Sequence, residues 1–415
     1  MRMRTVSAPW ILTGGGGVIR EGALALDGDR LVALGPRTEI EARHGRGERL
    51  EAVLLPALVN AHLHLELSHM KGSVVGGEGL PAWIELFVSA RARMGARDAG
   101  QAMTMAAEDL VRSGVAAVGD VSNTLASLGP LGAAGLAGTI FHEVFGITPR
   151  RMADALAAAE AMRAAAPPPA PGLRVVPSPH AIYSTHHAGL VELLRAGPGS
   201  LHLAEDPAER TLVSSGTGAF GHLVARMGGR ARDLLPKGRS AVEVVAPHLA
   251  PHHLAVHCVD VDGDDLALLR SAGVTVVLCP RSNLFIGRRL PPFDALLAAG
   301  LPLAIGTDSL ASCPSLSPLS DAVALRRAFP AIPASRIVPL LWNGAAVGAP
   351  HVGALAPGCA PGIVAASIGS ARVEDPFEFL VVFGAEERPF EWVARQAPSP
   401  RPSPRRGEGD REESA

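Results

Sequence analysis

Eight short apolar runs, separated by alanine-rich stretches of helical length, constrain this chain more than any other feature. The runs are 53–60, 115–120 ("VAAVGD"), 138–143 ("GTIFHE"), 173–178 ("LRVVPS"), 200–203 ("SLHL"), 254–258 ("LAVHC"), 274–279 ("VTVVLC") and 303–308 ("LAIGTD"). Helical patterns at 99–113, 151–166, 264–272 and 318–328 fill gaps between them. Strands that alternate with helices build a parallel sheet covered by those helices. Eight such pairs are the count for a closed (β/α)8 TIM barrel, an α/β fold. A doubly wound open sheet is the competing architecture, and it needs a Gly-rich turn between its first strand and helix. "TGGGGVI" near the start of the chain has the glycines but not that setting, so it is no nucleotide fingerprint.

The two ends read differently. Residues 1–52 carry short β patterns such as "GALALDGDRLVALGP", expected to form the first part of a small β-sandwich. Residues 53–350 are assigned to the barrel, and 351–395, again strands and turns, to the second part of the sandwich. The last segment, 396–415, is rich in Pro, Ser and charge and nearly free of apolar residues, which predicts a disordered tail. Across 415 residues the formal net charge is −2, and the globular part has no basic run, which argues against a nucleic-acid partner. No apolar run is long enough to span a membrane, and the start of the chain lacks the sustained apolar segment of a cleaved signal. Four cysteines without C-x-x-C spacing suit a reducing, cytoplasmic setting.

The polar residues point to chemistry. In a (β/α)8 barrel the active site lies at the C-terminal ends of the strands. Those ends carry His62 and His64, Asp120, His142 and Glu143, His180, His202 and Glu205, His257, Ser282 and Asn283, and Asp308. An isolated H-x-H could be two histidines bonded to their neighbours, but five of eight strands end on or beside a histidine. In a strand, i and i+2 share a face about 7 Å apart, so His62 and His64 can converge on one ion. A catalytic zinc takes imidazole nitrogens and a carboxylate oxygen and keeps one position for water. His62, His64, His202 and Asp308 supply that set. The chain has only two lysines, Lys71 and Lys237, and neither lies on the fourth strand where a carboxylated lysine would bridge a second metal. One divalent ion per chain is expected, zinc first, with Fe2+ and Mn2+ sharing the same ligand types.

"VNAHLHLELS", "SPHAIYS", "HLAEDPAE", "VHCVDV", "CPRSNLFIG" and "IGTDSLAS" resemble, in order and spacing, the motifs of the amidohydrolase superfamily. The likeness is greatest to its aminohydrolase branch of nucleoside and heterocycle deaminases and triazine chlorohydrolases, and it spans about 5–385. It implies a metal-dependent barrel beside a β-sandwich and hydrolytic removal of an amino group from a ring carbon. His62, His64, His202 and Asp308 match the metal ligands, Glu205 the proton shuttle, and His257 the histidine that orients the attacking water. His180 matches a substrate-facing histidine, and Glu143, Glu66 and Asn283 are further substrate-binding candidates. "HLELS" and "HEVFG" resemble the aminodeoxyfutalosine deaminases of menaquinone synthesis within that branch.

The expected function is therefore deamination of an amino-substituted nitrogen heterocycle, a purine nucleoside or a derivative such as aminodeoxyfutalosine. Water activated by the metal attacks the ring carbon. Asp308 accepts its proton, and Glu205 protonates the ring nitrogen and later the leaving amine. Hydrolysis of a cyclic amide or a chlorinated ring by the same site is the alternative, and a metal-free, non-catalytic barrel is a third reading. The expected partner is a small molecule, with a homodimer as the assembly considered. Three departures stand out: Leu63 between the paired histidines, Arg288 where glycine is frequent, and no aspartate after "APGIVAA".

Overall fold

The computed structural model describes residues 3–95 and 98–395. Its centre is two four-stranded parallel sheets. One contains Leu58–Leu63, Val115–Ser122, Ala137–Val144 and Leu173–Pro179, and the other Gly199–Leu203, His253–His257, Thr275–Leu278 and Leu303–Ile305. Both seams between the sheets are closed by backbone bonds. The amide of His202 donates to the His180 carbonyl at 2.9 Å, and the amides of Thr307 and Asp308 donate to the His62 carbonyl at 2.9 and 3.1 Å. Bridges Ala181–His202 and Leu63–Asp308 mark the same seams. The eight strands thus run in chain order around a closed barrel.

Alternate residues sort into two apolar clusters, as the pleat requires. Val59, Ala61, Ala117, Phe141, Val256, Val277 and Ala304 fill the lumen, and Val347, Ala349 and Val352 pack with them. Leu58, Val118, Ile140, Leu201, Val276 and Ile305 face the surrounding helices instead. Strands buried on both faces explain why the sequence shows continuous apolar runs rather than alternation.

The run at 53–60 divides. Ala52–Pro56 pairs with the terminal strands Arg4–Leu12 and Ile363–Ser367, and the barrel strand begins only at Leu58. The terminal segments make one seven-stranded sheet, in the order Glu391–Ala394, Ile363–Ser367, Ala52–Pro56, Arg4–Leu12, Val18–Asp27, Arg30–Pro36, with Glu48–Arg49 also on Arg4–Leu12. Hydrogen bonding makes a single sheet of them rather than two facing ones. Helix Arg37–His44 lays Ile40 against Ala23 and Ala25. Pro376–Ala385 is a helix where strands and turns were expected, because Asp375 caps it by accepting from Phe377 N at 2.8 Å and Pro376 opens it. The tail expected at 396–415 lies outside the described residues.

Candidate active site

Barrel closure gathers four histidines at the C-terminal mouth. The ring of His62 lies 4.9 Å from those of both His64 and His202 and 5.8 Å from that of His257. Simple alternation would not put it there, because its neighbour Ala61 already faces the lumen. A register irregularity between Asn60 and Leu63 turns His62 inward, the usual effect of a bulge beside an active site. The strand before His62 is also pressed against the eighth strand. A Cβ on Gly306 would stand 2.7 Å from the His62 Cβ and 2.8 Å from its carbonyl oxygen.

The donor atoms fit a cation. His202 Nδ1 is 3.1 Å from the His180 carbonyl, which can only accept, so that nitrogen carries the proton and Nε2 offers a lone pair. His64 Nε2 lies 3.2 Å from His202 Nε2 and 3.5 Å from Asp308 Oδ1. Both ring nitrogens of His62 are buried without a hydrogen-bond partner. Donors about 2.0–2.2 Å from a tetrahedral ion stand roughly 3.3–3.6 Å from each other, which these spacings approach. His62, His64 and Asp308 form one group able to share an ion, and His62, His202 and His257 another. Burial holds the imidazoles of His62 and His64 far below their usual pKa, with His202 adding repulsion. Neutral rings are what a metal requires.

Asp308 is held through both of its carboxylate oxygens. Its Oδ2 accepts from Ser282 Oγ at 2.6 Å and Ser312 Oγ at 3.1 Å, and Oδ1 accepts from Ser309 N at 2.8 Å. Beside it, Glu205 Oε2 is 3.5 Å from His257 Nε2. Burial, and then the nearby carboxylates of Asp308, Glu209 and Asp206, push the Glu205 carboxyl well above its usual range, in the direction that favours its acid form. The turn that aims Glu205 is held by Glu209, a residue the sequence did not single out. Its carboxylate accepts from Ala204 N at 3.1 Å and Glu205 N at 2.7 Å. Ala204, His257, Cys258 and Asp308 all have positive φ, at 52°, 77°, 47° and 64°. Such non-glycine strain costs on the order of 1–3 kcal/mol per residue and survives only where surrounding bonds over-determine it. Here the Ala204 carbonyl accepts from both Val259 N and Asp260 N at 2.8 Å.

A cavity of about 570 Å³ opens above these groups. His64, Glu143, His180, His202, Glu205, His257 and Asp308 line its polar floor. Its walls are Trp83, Phe87, Phe145, Leu223, Met227 and Ile286. Glu143 Oε2 accepts from Asn123 Nδ2 at 2.9 Å, while its Oε1 is buried and unpaired. Burial raises its pKa. His180 is neutral, lowered by burial to about 4, and meets the only tyrosine, Tyr183, edge-on at 5.5 Å.

Two substrate-binding candidates are not at the cavity wall. Glu66 is not among the lining residues; its carboxylate accepts from the amides of Asn123, Thr124 and Ala126 and from the hydroxyls of Ser122 and Thr124. It secures the loop that carries Asn123. Asn283 is likewise turned to another task, its Nδ2 lying 3.0 Å from His257 Nδ1. With the amide donating, the imidazole proton sits on Nε2, facing Glu205. Asp120 accepts from Leu65 N at 2.8 Å and so braces the segment after His64.

Residues 53–380 match the amidohydrolase family. The aminodeoxyfutalosine deaminase of Deinococcus radiodurans is 32% identical over 358 residues, covering 79% of this chain and 81% of the relative. Among solved structures, Helicobacter pylori aminofutalosine deaminase in complex with methylthio-coformycin superposes with a TM-score of 0.81 at 20% identity, covering 94% of this chain and 97% of that one. An adenosine deaminase from Xanthomonas campestris with bound zinc gives 0.73 at 20% identity, covering 91% and 88%. These two likenesses extend the barrel reading to the fold as a whole.

Proposed function

The chain belongs to the amidohydrolase family, and from that premise we propose that it deaminates a purine nucleoside or a derivative such as aminodeoxyfutalosine. It is a metal-dependent hydrolytic deaminase acting on an amino-substituted nitrogen heterocycle. The observation that carries the reading is one cluster on the cavity floor. Three imidazoles and a carboxylate stand at metal-sharing distances beside Glu205, whose Oε2 lies 3.5 Å from His257 Nε2.

His62, His64, His202 and Asp308 would hold one divalent ion, zinc by the chemistry of the set. When bound, the ion supplies the Lewis acidity that makes water nucleophilic near neutral pH. The remaining work falls to side chains. Glu205 gives its proton to the ring nitrogen beside the amino-bearing carbon. His257, its Nε2–H directed by Asn283, orients the water. Asp308 takes one proton from that water as its oxygen bonds to the carbon. On collapse Glu205 relays the second water proton to the departing amine, which leaves as ammonia, and the proton on Asp308 then restores Glu205. His180 and Glu143 contact the substrate.

In this reading the catalytic barrel fills 53–350 from the strand that opens at Leu58, and 1–52 with 351–395 form, together with Ala52–Pro56, a single-sheet accessory β unit. A cytoplasmic location suits the four unpaired cysteines. Among the described residues no helix is long and apolar enough to cross a membrane.

The test is ammonia release from a panel of 6-aminopurine nucleosides, with metal analysis of protein purified without chelator. We expect ammonia and about one equivalent of metal per chain, as for a single catalytic site. Glu205→Gln should keep the metal and lose turnover by at least ~10²-fold. Turnover of a lactam or chlorotriazine without ammonia from any nucleoside would favour the alternative hydrolase. Metal-free protein inert toward all of them would favour a non-catalytic barrel.

A further inference from the structure

The loop that follows the eighth strand, 309–317, is mostly buried yet forms no regular helix or strand. Its polar backbone groups therefore need partners from elsewhere. Ser309 N and Ser312 Oγ donate to the Asp308 carboxylate. Farther along, three successive carbonyls are held from two sides. That of Leu316 accepts from Asn60 Nδ2, on the first strand, at 3.1 Å. Those of Ser315 and Ser317 accept from the Arg281 guanidinium at 2.6 and 3.1 Å, and Ser315 Oγ accepts from it at 2.9 Å. The same Arg281 is anchored by Asp321, whose Oδ2 accepts from its Nε at 2.9 Å and Oδ1 from its backbone amide at 3.0 Å. The Arg281 side chain is only 13% exposed and that of Asp321 0%.

A guanidinium is an unfavourable choice here on local grounds. Arg281 is the second residue of the helix Pro280–Gly287, at the end whose dipole repels a cation. The desolvation of a buried ion pair largely cancels its attraction, so apolar side chains would join this helix to Pro318–Ala328 as firmly. They could not bond two alternate carbonyls of a neighbouring loop through one rigid fork. The next residue, Ser282, donates to Asp308 Oδ2 at 2.6 Å, and its Oγ lies 2.9 Å from that of Ser312. Both hydroxyls on Oδ2 thus come from segments that Arg281 ties together, while Oδ1 faces His64 Nε2 at 3.5 Å. Resting on the metal site of the reading above, we propose that Arg281, anchored by Asp321, is a positioning residue for the metal-binding carboxylate. It locks the helix after the seventh strand to the loop after the eighth, so that Ser282 and Ser312 hold Oδ2 and leave Oδ1 turned to the histidines. A purely structural ion pair would affect stability and not the metal.

The experiment measures zinc affinity by chelator competition, the visible spectrum of Co2+-loaded protein, and Tm for the wild type, Arg281→Met, Arg281→Lys and Arg326→Gln. Arg326→Gln is the stability control, because it breaks the ion pair with Glu378 on the same helix Pro318–Ala328. Arg281→Met should weaken zinc binding roughly 10- to 100-fold, the range for residues that support metal ligands, and change the Co2+ spectrum. Arg281→Lys keeps the charge without the fork and should recover part of the affinity; if Arg281→Met does not fold, zinc binding weaker than wild type in Arg281→Lys carries the test. Arg326→Gln should lower Tm and leave zinc affinity unchanged. On a nucleoside that the wild type deaminates, the Arg281 variants should lose kcat with KM unchanged, since Asp308 acts on the water. Wild-type zinc affinity and Co2+ spectrum in both Arg281 variants, or an equal loss of affinity in Arg326→Gln, would overturn the assignment and leave the deaminase reading intact. The expected loss of zinc affinity without ammonia from any nucleoside would overturn the deaminase reading and leave the positioning role standing. A wild type that takes up no metal would overturn both.

Discussion

His257 works through the nitrogen that its neighbour leaves free. Asn283 occupies Nδ1 at 3.0 Å, so the proton belongs to Nε2, the atom that faces Glu205. Asn283→Ala removes that choice and leaves a buried nitrogen unsatisfied, which costs on the order of 1–3 kcal/mol. We expect kcat to fall by about tenfold or more, as for impaired orientation of a proton-transfer group, with metal content unchanged. A steady-state rate profile across pH together with metal analysis checks it; full activity would remove Asn283 from the positioning role. Residue identities at the strand ends were legible in the sequence, because metal and acid–base chemistry restrict a site to few side-chain types. The partners of those residues were not. Glu66 lies two positions from His64, yet its carboxylate is drawn into a loop some sixty residues further on. Asn283 meets His257 across 26 positions. Glu209 offers no motif of its own, and only the two amides it accepts from reveal its task.

At the scale of elements, the strand and helix pattern was readable because burial on both faces demands continuous apolar runs. Boundaries were less so. The run 53–60 holds the end of one sheet and the start of another, and nothing in its hydropathy marks the break at Ala57. The apolar stretch after Pro376 fits either a short strand or a helix on pattern alone; its cap decided the matter. The seam between the first and eighth strands gives a prediction of its own. Gly306→Ala would drive a methyl group to within 2.7 Å of the His62 Cβ. One side or the other must move, at about 1–3 kcal/mol for overpacking of this kind. Since His62 and Asp308 lie on the two elements concerned, metal affinity should drop together with Tm. Calorimetry and a zinc titration of the variant would show it, and an unchanged zinc affinity would mean that the seam does not set the ligand geometry.

For the whole molecule, the active site is a cost that the barrel carries. His180 and His257 are neutral inside it, lowered by burial from 6.5 to about 4 and about 3. The unfolded chain takes up protons below about pH 6.5, where the folded one refuses them. Stability contributed by these rings is therefore fully present above pH 6.5 and is lost as pH falls toward 4. Chelator-treated protein should show a falling Tm across that window, and His180→Asn should flatten the fall. A Tm that stays level in the metal-free wild type would contradict the burial of neutral rings. Metal binds the folded cluster only, so free zinc at a hundredfold over its Kd should add roughly 2.7 kcal/mol.

The sequence by itself determined the barrel's repeating units and the kinds of side chain at their C-terminal ends, because local burial and chemical type are written residue by residue. Tertiary structure alone decided which of those side chains meet. Closure of the ring brings His62 and Asp308, 246 positions apart, onto neighbouring strands, and an irregularity of register turns His62 inward. Such contacts depend on where distant segments pack, a property of the folded chain that no local pattern encodes.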